Sequence, residues 1–158
     1  MNRPAIAALV IGCVVAIDFV SKELVLHHVS EEDRIHVLGP LDIVHRRNRG
    51  GAFSVADGRA FFPWLVSGLI VALLLWFVRG LRRHDVRLSG VALVAVSAMV
   101  GGALGNQVDR WLRAPGLNRG GVIDFLDVGF WPVFNIADAA LVCGAISVAL
   151  LSSRRKSG

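Results

Sequence analysis

Four long apolar stretches, separated by polar segments, dominate the pattern of this 158-residue chain. They lie at about residues 4–20, 60–78, 88–108 and 130–153. Within them the charged residues are Asp18 and Asp138. A helix needs about 20 mostly apolar residues to cross the hydrocarbon core of a bilayer. We therefore predict an all-α membrane protein with four transmembrane helices.

The composition agrees with a lipid environment. Hydrophobic residues make up 54% of the chain and charged residues 18%, and the mean hydropathy is +0.61. Soluble domains carry about 25% charged residues, and a disordered chain would lack this much apolar surface. No internal repeat or low-complexity segment divides the sequence. We expect residues 1–158 to form a single integral membrane domain.

The basic residues indicate the orientation of the helices. Eight of the 17 Lys and Arg residues flank the apolar stretches at three places, accompanied by one acid, Asp85. They are Arg3, then Arg79, Arg82, Arg83 and Arg87, and finally Arg154, Arg155 and Lys156. Cytoplasmic flanks carry such an excess, so we place both termini and residues 79–87 in the cytoplasm, with residues 21–59 and 109–129 outside it. Because no nucleic-acid-binding motif accompanies the net charge of +5, we expect no nucleic-acid partner.

The cysteines and histidines predict neither disulfides nor a metal site. Cys13 and Cys143 lie inside apolar stretches, and the five histidines are scattered outside them. The segment VIGC at residues 10–13 raises the alternative of a lipidation signal, in which Cys13 becomes the N-terminus. The following residues, VVAIDFV, stay apolar, so we expect Cys13 to lie within the first transmembrane helix.

Polar side chains on three of the predicted helices lie at similar depths. With a rise of about 1.5 Å per residue, Asp18, Asp138 and Asn106 lie about 22, 24 and 28 Å from the basic residue at the cytoplasmic end of their own helix. The hydrocarbon core is about 30 Å thick. All three side chains therefore lie in the outer leaflet, and their common depth indicates a functional site.

Neighbouring residues allow a structural interpretation as well as a functional one. Asp18 and Lys22 are one turn apart and predict an ion pair that closes the outer end of the first helix. Asn106 shares one face of the third helix with Asp109 and Arg110, and these last two could form a structural pair of their own. The pattern alone leaves both interpretations open.

Asp138 is harder to explain by structure alone. An ionisable residue within a membrane is costly, and no Lys or Arg lies one turn away from it. Either Asp124 or Asp127 could face it, and the spacing does not choose between them. The metalloprotease motif H-E-x-x-H and the serine hydrolase motif G-x-S-x-G are both missing from the sequence. Because two aspartates that share one proton can supply a base and an acid, the pattern favours carboxylate chemistry.

Five ordered blocks resemble the lipoprotein signal peptidase (signal peptidase II) family, which are bacterial membrane aspartyl proteases. The blocks are DFVSK at 18–22, NRGGAFS at 48–54, GGALGNQVDR at 101–110, VIDF at 122–125 and FNIADAAL at 134–141. Two positions depart from the family pattern: Phe19 replaces Gln, and Gly51 replaces Ala. The resemblance implies four transmembrane helices with a small extracytoplasmic β-cradle. Residues 35–44, IHVLGPLDIV, themselves predict two short strands around a Gly-Pro turn.

The resemblance also assigns site residues. It implies that Asp124 and Asp138 are the catalytic pair, which selects Asp124 over Asp127. Five further positions match residues that line or support the family's substrate pocket: Asn48, Asn106, Asp109, Arg110 and Asn135. For Asp18 and Lys22 we expect a structural ion pair. Neither a metal nor an organic cofactor is implied.

The implied function is the removal of signal peptides from prolipoproteins, with cleavage just before a Cys that carries diacylglycerol. The expected partners are these lipidated precursors and membrane lipid, and we expect a monomer in the bacterial plasma membrane. A small proton-coupled transporter is an alternative, but it would favour midplane sites and internal repeats. A non-catalytic membrane assembly subunit is another, but it gives no reason for Asp138.

Overall fold

The computed structural model describes residues 2–48, 72, 75–77, 79–80, 83, 88–115 and 120–156. Within these ranges the chain forms three long helices and three strands. The helices are α1 (Arg3–His28), α2 (Gly90–Leu112) and α3 (Ile136–Lys156). The strands are β1 (Arg34–Leu38), β2 (Leu41–Asn48) and β3 (Val122–Asp127). The described part of the molecule is therefore mainly helical, with one small sheet.

Helix α1 is longer than its apolar stretch predicts. It begins after the Asn2 cap and continues past the predicted end at residue 20 to His28. Its last turns are held by packing rather than by lipid, because Val25 lies in a buried cluster with Ile123 of the sheet. The first helix therefore ends at His28 and not at the predicted residue 20. Cys13 lies within this helix, as predicted.

Helices α1 and α2 begin at the same end of the molecule. The Arg3 guanidinium, at the start of α1, donates to the carbonyl oxygen of Leu88, just before α2. Farther along, a Cβ added to Gly101 of α2 would lie only 2.8 Å from the Cβ of Val14, so glycine is required for this close approach. The two helices therefore run in parallel, as the predicted topology requires of the first and third spans.

Helix α3 begins later than its apolar stretch predicts. The stretch starts at residue 130, but the residues just before the helix pair with the sheet: Leu126 and Phe134 exchange two backbone hydrogen bonds of 2.8 and 3.0 Å. The side chain of Asn135 then caps the helix by accepting from the backbone N–H of Asp138 (2.9 Å). The predicted helix start at residue 130 is therefore corrected to Ile136.

The sheet has the order β1-β2-β3, and both pairs are antiparallel. The predicted pair of strands around a Gly-Pro turn at residues 35–44 is present, and Gly39 adopts the positive φ of +56° that favours glycine. Strand β2 extends beyond that prediction to Asn48, and β3 was not predicted from the apolar pattern. Ile123 of β3 is fully buried against the end of α1. The sheet is thereby fixed beside the helix ends.

Two helices within the described ranges, α1 and α2, are long and apolar enough to cross a membrane. The apolar part of α3, Ile136–Leu151, is shorter. Of the predicted second span, the described residues 75–77 are helical, and Phe77 packs with Ala7 and Leu93. The structure thus confirms membrane-type apolar helices with a small sheet, and the count of four spans stays a prediction.

Candidate active site

Asp138 lies in the first turn of α3, where the helix cap holds it. Its backbone N–H donates to Asn135 Oδ1 (2.9 Å), and its own Oδ2 accepts from the backbone N–H of Asn135 (3.3 Å). Such a reciprocal pair satisfies two N–H groups that the helix itself cannot. The cap therefore places the Asp138 carboxyl at the end of the helix and beside the sheet.

Asp124 lies in β3, with 6% of its surface exposed. Its Oδ2 accepts from Asn48 Nδ2 (3.2 Å) and its Oδ1 from Asn135 Nδ2 (2.8 Å). Asn135 thus binds both Asp124 and Asp138. The structure brings together the two carboxyl groups that the resemblance selects, and it does so through one shared asparagine.

Asn106 of α2 connects the same pair to the helices. Its Nδ2 donates to Asp138 Oδ1 (2.7 Å), and its Oδ1 accepts from Asn135 Nδ2 (3.0 Å) and from Lys22 Nζ (3.0 Å). Arg110, on the same helix, interacts electrostatically with Asp124 and Asp138. The polar residues predicted to lie at similar depths on three helices therefore meet at one site.

The two aspartates of β3 have opposite electrostatic environments. Burial, reinforced by the charge of Asp138, raises the pKa of Asp124 to about 6. The Gly129 N–H and the Arg34 guanidinium instead lower the pKa of Asp127. Asp124 is therefore the carboxyl of this strand that can hold a proton near neutral pH, whereas Asp127 serves as an ion-pair partner within the sheet.

The Asp18–Lys22 ion pair forms as predicted (2.6 Å), but it lies inside the protein rather than at the rim of the helix. Both residues are fully buried. Lys22 also pairs with Asp109 Oδ2 (2.8 Å), and Asp18 Oδ1 accepts from the backbone N–H of Ala137 (2.9 Å). The pair therefore joins helices α1, α2 and α3 next to the carboxyl pair.

Asp109 makes ion pairs with Lys22 and Arg113. It also interacts electrostatically with the adjacent Arg110, its predicted partner. Its Oδ2 also accepts from the backbone N–H of Ile123 (3.2 Å), the residue before Asp124. Asp109 thus fixes β3 against the helices.

Arg113 is a site neighbour that the sequence analysis missed. It donates to Asp109 Oδ1 (2.6 Å), pairs with Glu23 (2.9 Å) and lies over the ring of Phe19 at 5.9 Å. The four-residue spacing from Asp109 was the available signal. Phe19, which departs from the family pattern, therefore has a cationic partner, while Gly51, the other departure, lies outside the described residues.

The fold and the site together define a class. Asp138, at the start of a helix, and Asp124, on the neighbouring strand, are bridged by amide groups beside apolar helices, and a pair of aspartates is the arrangement of an aspartic peptidase. A sequence model described as Signal peptidase (SPase) II matches residues 10–154. The chain belongs to the signal peptidase II family and is an aspartic endopeptidase of that type. Neither the transporter nor the assembly-subunit alternative is supported.

Known proteins of this kind match nearly the whole chain. A Lipoprotein signal peptidase of Rhodococcus jostii (strain RHA1) is 39% identical over 156 residues, covering 96% of this chain and 74% of the relative. One from Mycobacterium avium (strain 104) is 39% identical over 144 residues, covering 90% and 76%. A bacterial membrane enzyme solved at 2.3 Å superposes with a TM-score of 0.78 and 29% identity, covering 96% of this chain and 89% of that one.

Proposed function

We propose that Asp124 and Asp138 are the catalytic pair of a peptidase that removes signal peptides from prolipoproteins, cutting just before a Cys that carries diacylglycerol. The observation that carries this proposal is the shared contact of Asn135 with both carboxyl groups, at 2.8 Å to Asp124 and 3.3 Å to Asp138. The proposed substrate follows from membership of a family whose relatives are lipoprotein signal peptidases.

In the proposed reaction the two aspartates share one proton. Asp138, which accepts from Asn106 and Asn135, takes a proton from water as the water oxygen attacks the scissile carbonyl carbon. Asp124, whose pKa is raised to about 6 and which therefore holds a proton more readily than an ordinary carboxyl, gives its proton to the carbonyl oxygen. When the C–N bond breaks, Asp138 gives its proton to the leaving nitrogen, and a hydroxyl of the intermediate returns one to Asp124. No metal or organic cofactor takes part.

The remaining polar residues have proposed supporting roles. Asn48, Asn106 and Asn135 hold the carboxyl groups through their amides. The positive charge of Arg110 interacts electrostatically with both aspartates and would limit the build-up of negative charge during the attack. Asp109 acts through β3, which it holds in place by its bond to Ile123.

The proposed topology has four transmembrane spans, including residues 60–78, and cytoplasmic termini in the plasma membrane. The contact of Arg3 with Leu88 puts the starts of α1 and α2 at one end, and the polar cluster lies at the other end. Large apolar side chains are more than 40% exposed on the helices, which suits a lipid-facing surface; they include Leu9, Ile17, Leu24, Val94, Ile146 and Leu150. A monomer would suffice, because every proposed site residue comes from one chain.

Cleavage of a defined precursor tests the function. Purified enzyme is incubated with one prolipoprotein in two forms, with and without diacylglycerol on the Cys after the scissile bond. We expect cleavage of the lipidated form at that bond, and little or none of the unlipidated form. Equal cleavage of both forms would contradict the lipid requirement, and cleavage of neither would contradict the proposed function.

The pH profile of kcat/KM should report the proton on Asp124. Because the reaction needs a singly protonated pair and the pKa of Asp124 is about 6, activity should fall as the pH rises above this value. Asn48 stabilises ionised Asp124 by a hydrogen bond. Asn48→Ala should therefore raise this pKa and move the alkaline limb upward by roughly half a unit to one unit. A limb that stays in place or moves to lower pH would count against the assignment.

Accessibility labelling tests the topology. In a variant without Cys13 and Cys143, new cysteines are introduced singly as Glu31→Cys, in the turn between α1 and β1, and as Arg83→Cys. A membrane-impermeant maleimide added to intact cells should modify position 31 and leave position 83 unmodified until the membrane is opened. Modification of position 83 from outside would reverse the proposed orientation.

A further inference from the structure

The buried ammonium group of Lys22 lies directly behind the carboxyl pair. It contacts Asp18 Oδ2 (2.6 Å), Asp109 Oδ2 (2.8 Å) and Asn106 Oδ1 (3.0 Å), and its side chain is fully buried. An ammonium group has three N–H donors, so each donor has one partner. Two partners are carboxylates that balance its charge, and the third is the amide that binds Asp138.

The side-chain amide of Asn106 can lie in two orientations that exchange its oxygen and its nitrogen. In the structure its oxygen receives donors from Lys22 and Asn135, and its nitrogen donates to Asp138. A flipped amide would direct N–H groups at those two donors and its oxygen at a carboxylate oxygen. Each of these contacts would lose a hydrogen bond and place like partial charges together. The donors around Asn106 therefore select the orientation that serves Asp138.

We infer that Lys22 is a positioning residue for the reaction, because its ammonium group fixes the Asn106 amide so that the amide nitrogen donates to Asp138. The inference rests on the proposed catalytic role of Asp138. It goes beyond the structural interpretation of the Asp18–Lys22 pair. A pair that only joined helices would not require the contact between Lys22 and Asn106. The charge of Lys22 would then act on Asp138 through one amide.

Lys22→Met keeps the length of the side chain and removes its charge and its donors. We expect kcat to fall about 10- to 100-fold, with KM for the lipidated precursor little changed. Ser21→Ala is the matched control on α1, because among the described residues the Ser21 hydroxyl donates only to the Asp18 carbonyl within its own helix. This control should keep the wild-type kcat.

A double-mutant cycle separates positioning from general damage. Lys22→Met, Asn106→Ala and the double variant are compared with the wild type for kcat and KM. If Lys22 acts through Asn106, Lys22→Met should lower kcat less than about threefold once Asn106 is already Ala. Independent losses that multiply in the double variant would overturn the inference, as would a large rise in KM with kcat unchanged.

A second background guards against simple misfolding. Lys22→Met leaves Asp18 buried without its counter-ion, so the cycle is repeated with Asp18→Asn, which removes that charge while its oxygen can still accept from Ala137 N–H. Loss of kcat should persist in D18N/K22M relative to D18N, and full recovery would overturn the inference. Wild-type enzyme that fails to cleave lipidated precursor would instead contradict the proposed function, so the two failures are distinguishable.

Discussion

Replacing either Asp124 or Asp138 by Asn should reduce cleavage of a lipidated precursor by about 10⁴-fold or more, while the enzyme still inserts and binds the precursor. Asn keeps the size of the side chain and much of its hydrogen bonding. An amide, however, can neither take a proton from the attacking water nor share one with the remaining carboxyl. The measurement is the single-turnover rate of each purified variant, with precursor binding measured in parallel.

Asp127→Asn is the matched control, since it makes the same chemical change in the same strand. Asp127 binds Arg34 (2.8 Å) and the Gly129 N–H (2.8 Å) and has no contact with Asn135 among the described hydrogen bonds. Its pair with the exposed Arg34 contributes little to stability, so the rate should stay within about twofold of wild type. The catalytic pair would be falsified if Asp124→Asn or Asp138→Asn cleaved at a near wild-type rate with contaminating peptidase excluded.

The common depth of the polar residues could be predicted from the sequence because the helical rise is a local property. Counting along three helices placed Asp18, Asn106 and Asp138 at one level. In the structure these three residues belong to one network of hydrogen bonds. Lys22 donates to Asp18 and to Asn106, and Asn106 donates to Asp138. The depth of a residue along its own helix could be predicted from the sequence because it does not depend on how the helices pack.

The spacing of residues could not decide whether Asp124 or Asp127 faces Asp138, because the answer depends on strand β3, which the hydrophobic pattern did not predict. The segment VIDFLD is short and does not alternate cleanly between apolar and polar residues. Once β3 is known, residues three apart in a strand point to opposite faces. Asp124 then faces Asn135, and Asp127 faces Arg34. Only the resemblance to a family supplied this choice in advance.

The helix ends were the feature that the sequence predicted least well. Hydropathy indicates which residues would lie in lipid, and it does not indicate where the backbone hydrogen bonding of a helix stops. Helix α1 ends at His28 instead of the predicted residue 20, because its last turns pack on the sheet. Helix α3 begins at Ile136 instead of the predicted residue 130. Here the sequence contained a pattern that indicates the helix start. Asn135 and Asp138 have the spacing of a reciprocal helix cap, which would have placed the start correctly.

The packing of α2 against α3 leads to a second large effect, the loss of stability and activity in Gly102→Ala. A Cβ at Gly102 would overlap the carbonyl oxygen of Ala137 and lie 3.1 Å from Leu141 Cγ. Because backbone cannot move aside as a flexible side chain can, the two helices must separate. Overpacking of this kind costs about 1–3 kcal/mol. Ala137 directly precedes Asp138, so a shift of this turn should also lower kcat by about 10²-fold.

Gly12→Ala makes the same change in α1 and is the matched control, because a Cβ at Gly12 would meet nothing within 4 Å. Ala favours a helix over Gly by about 1 kcal/mol, so this variant should be at least as stable as wild type and fully active. Thermal unfolding in detergent and cleavage of lipidated precursor measure both effects. If Gly102→Ala matched Gly12→Ala in midpoint and rate, α2 and α3 could not be in the close contact that holds Asp138 beside Asn106.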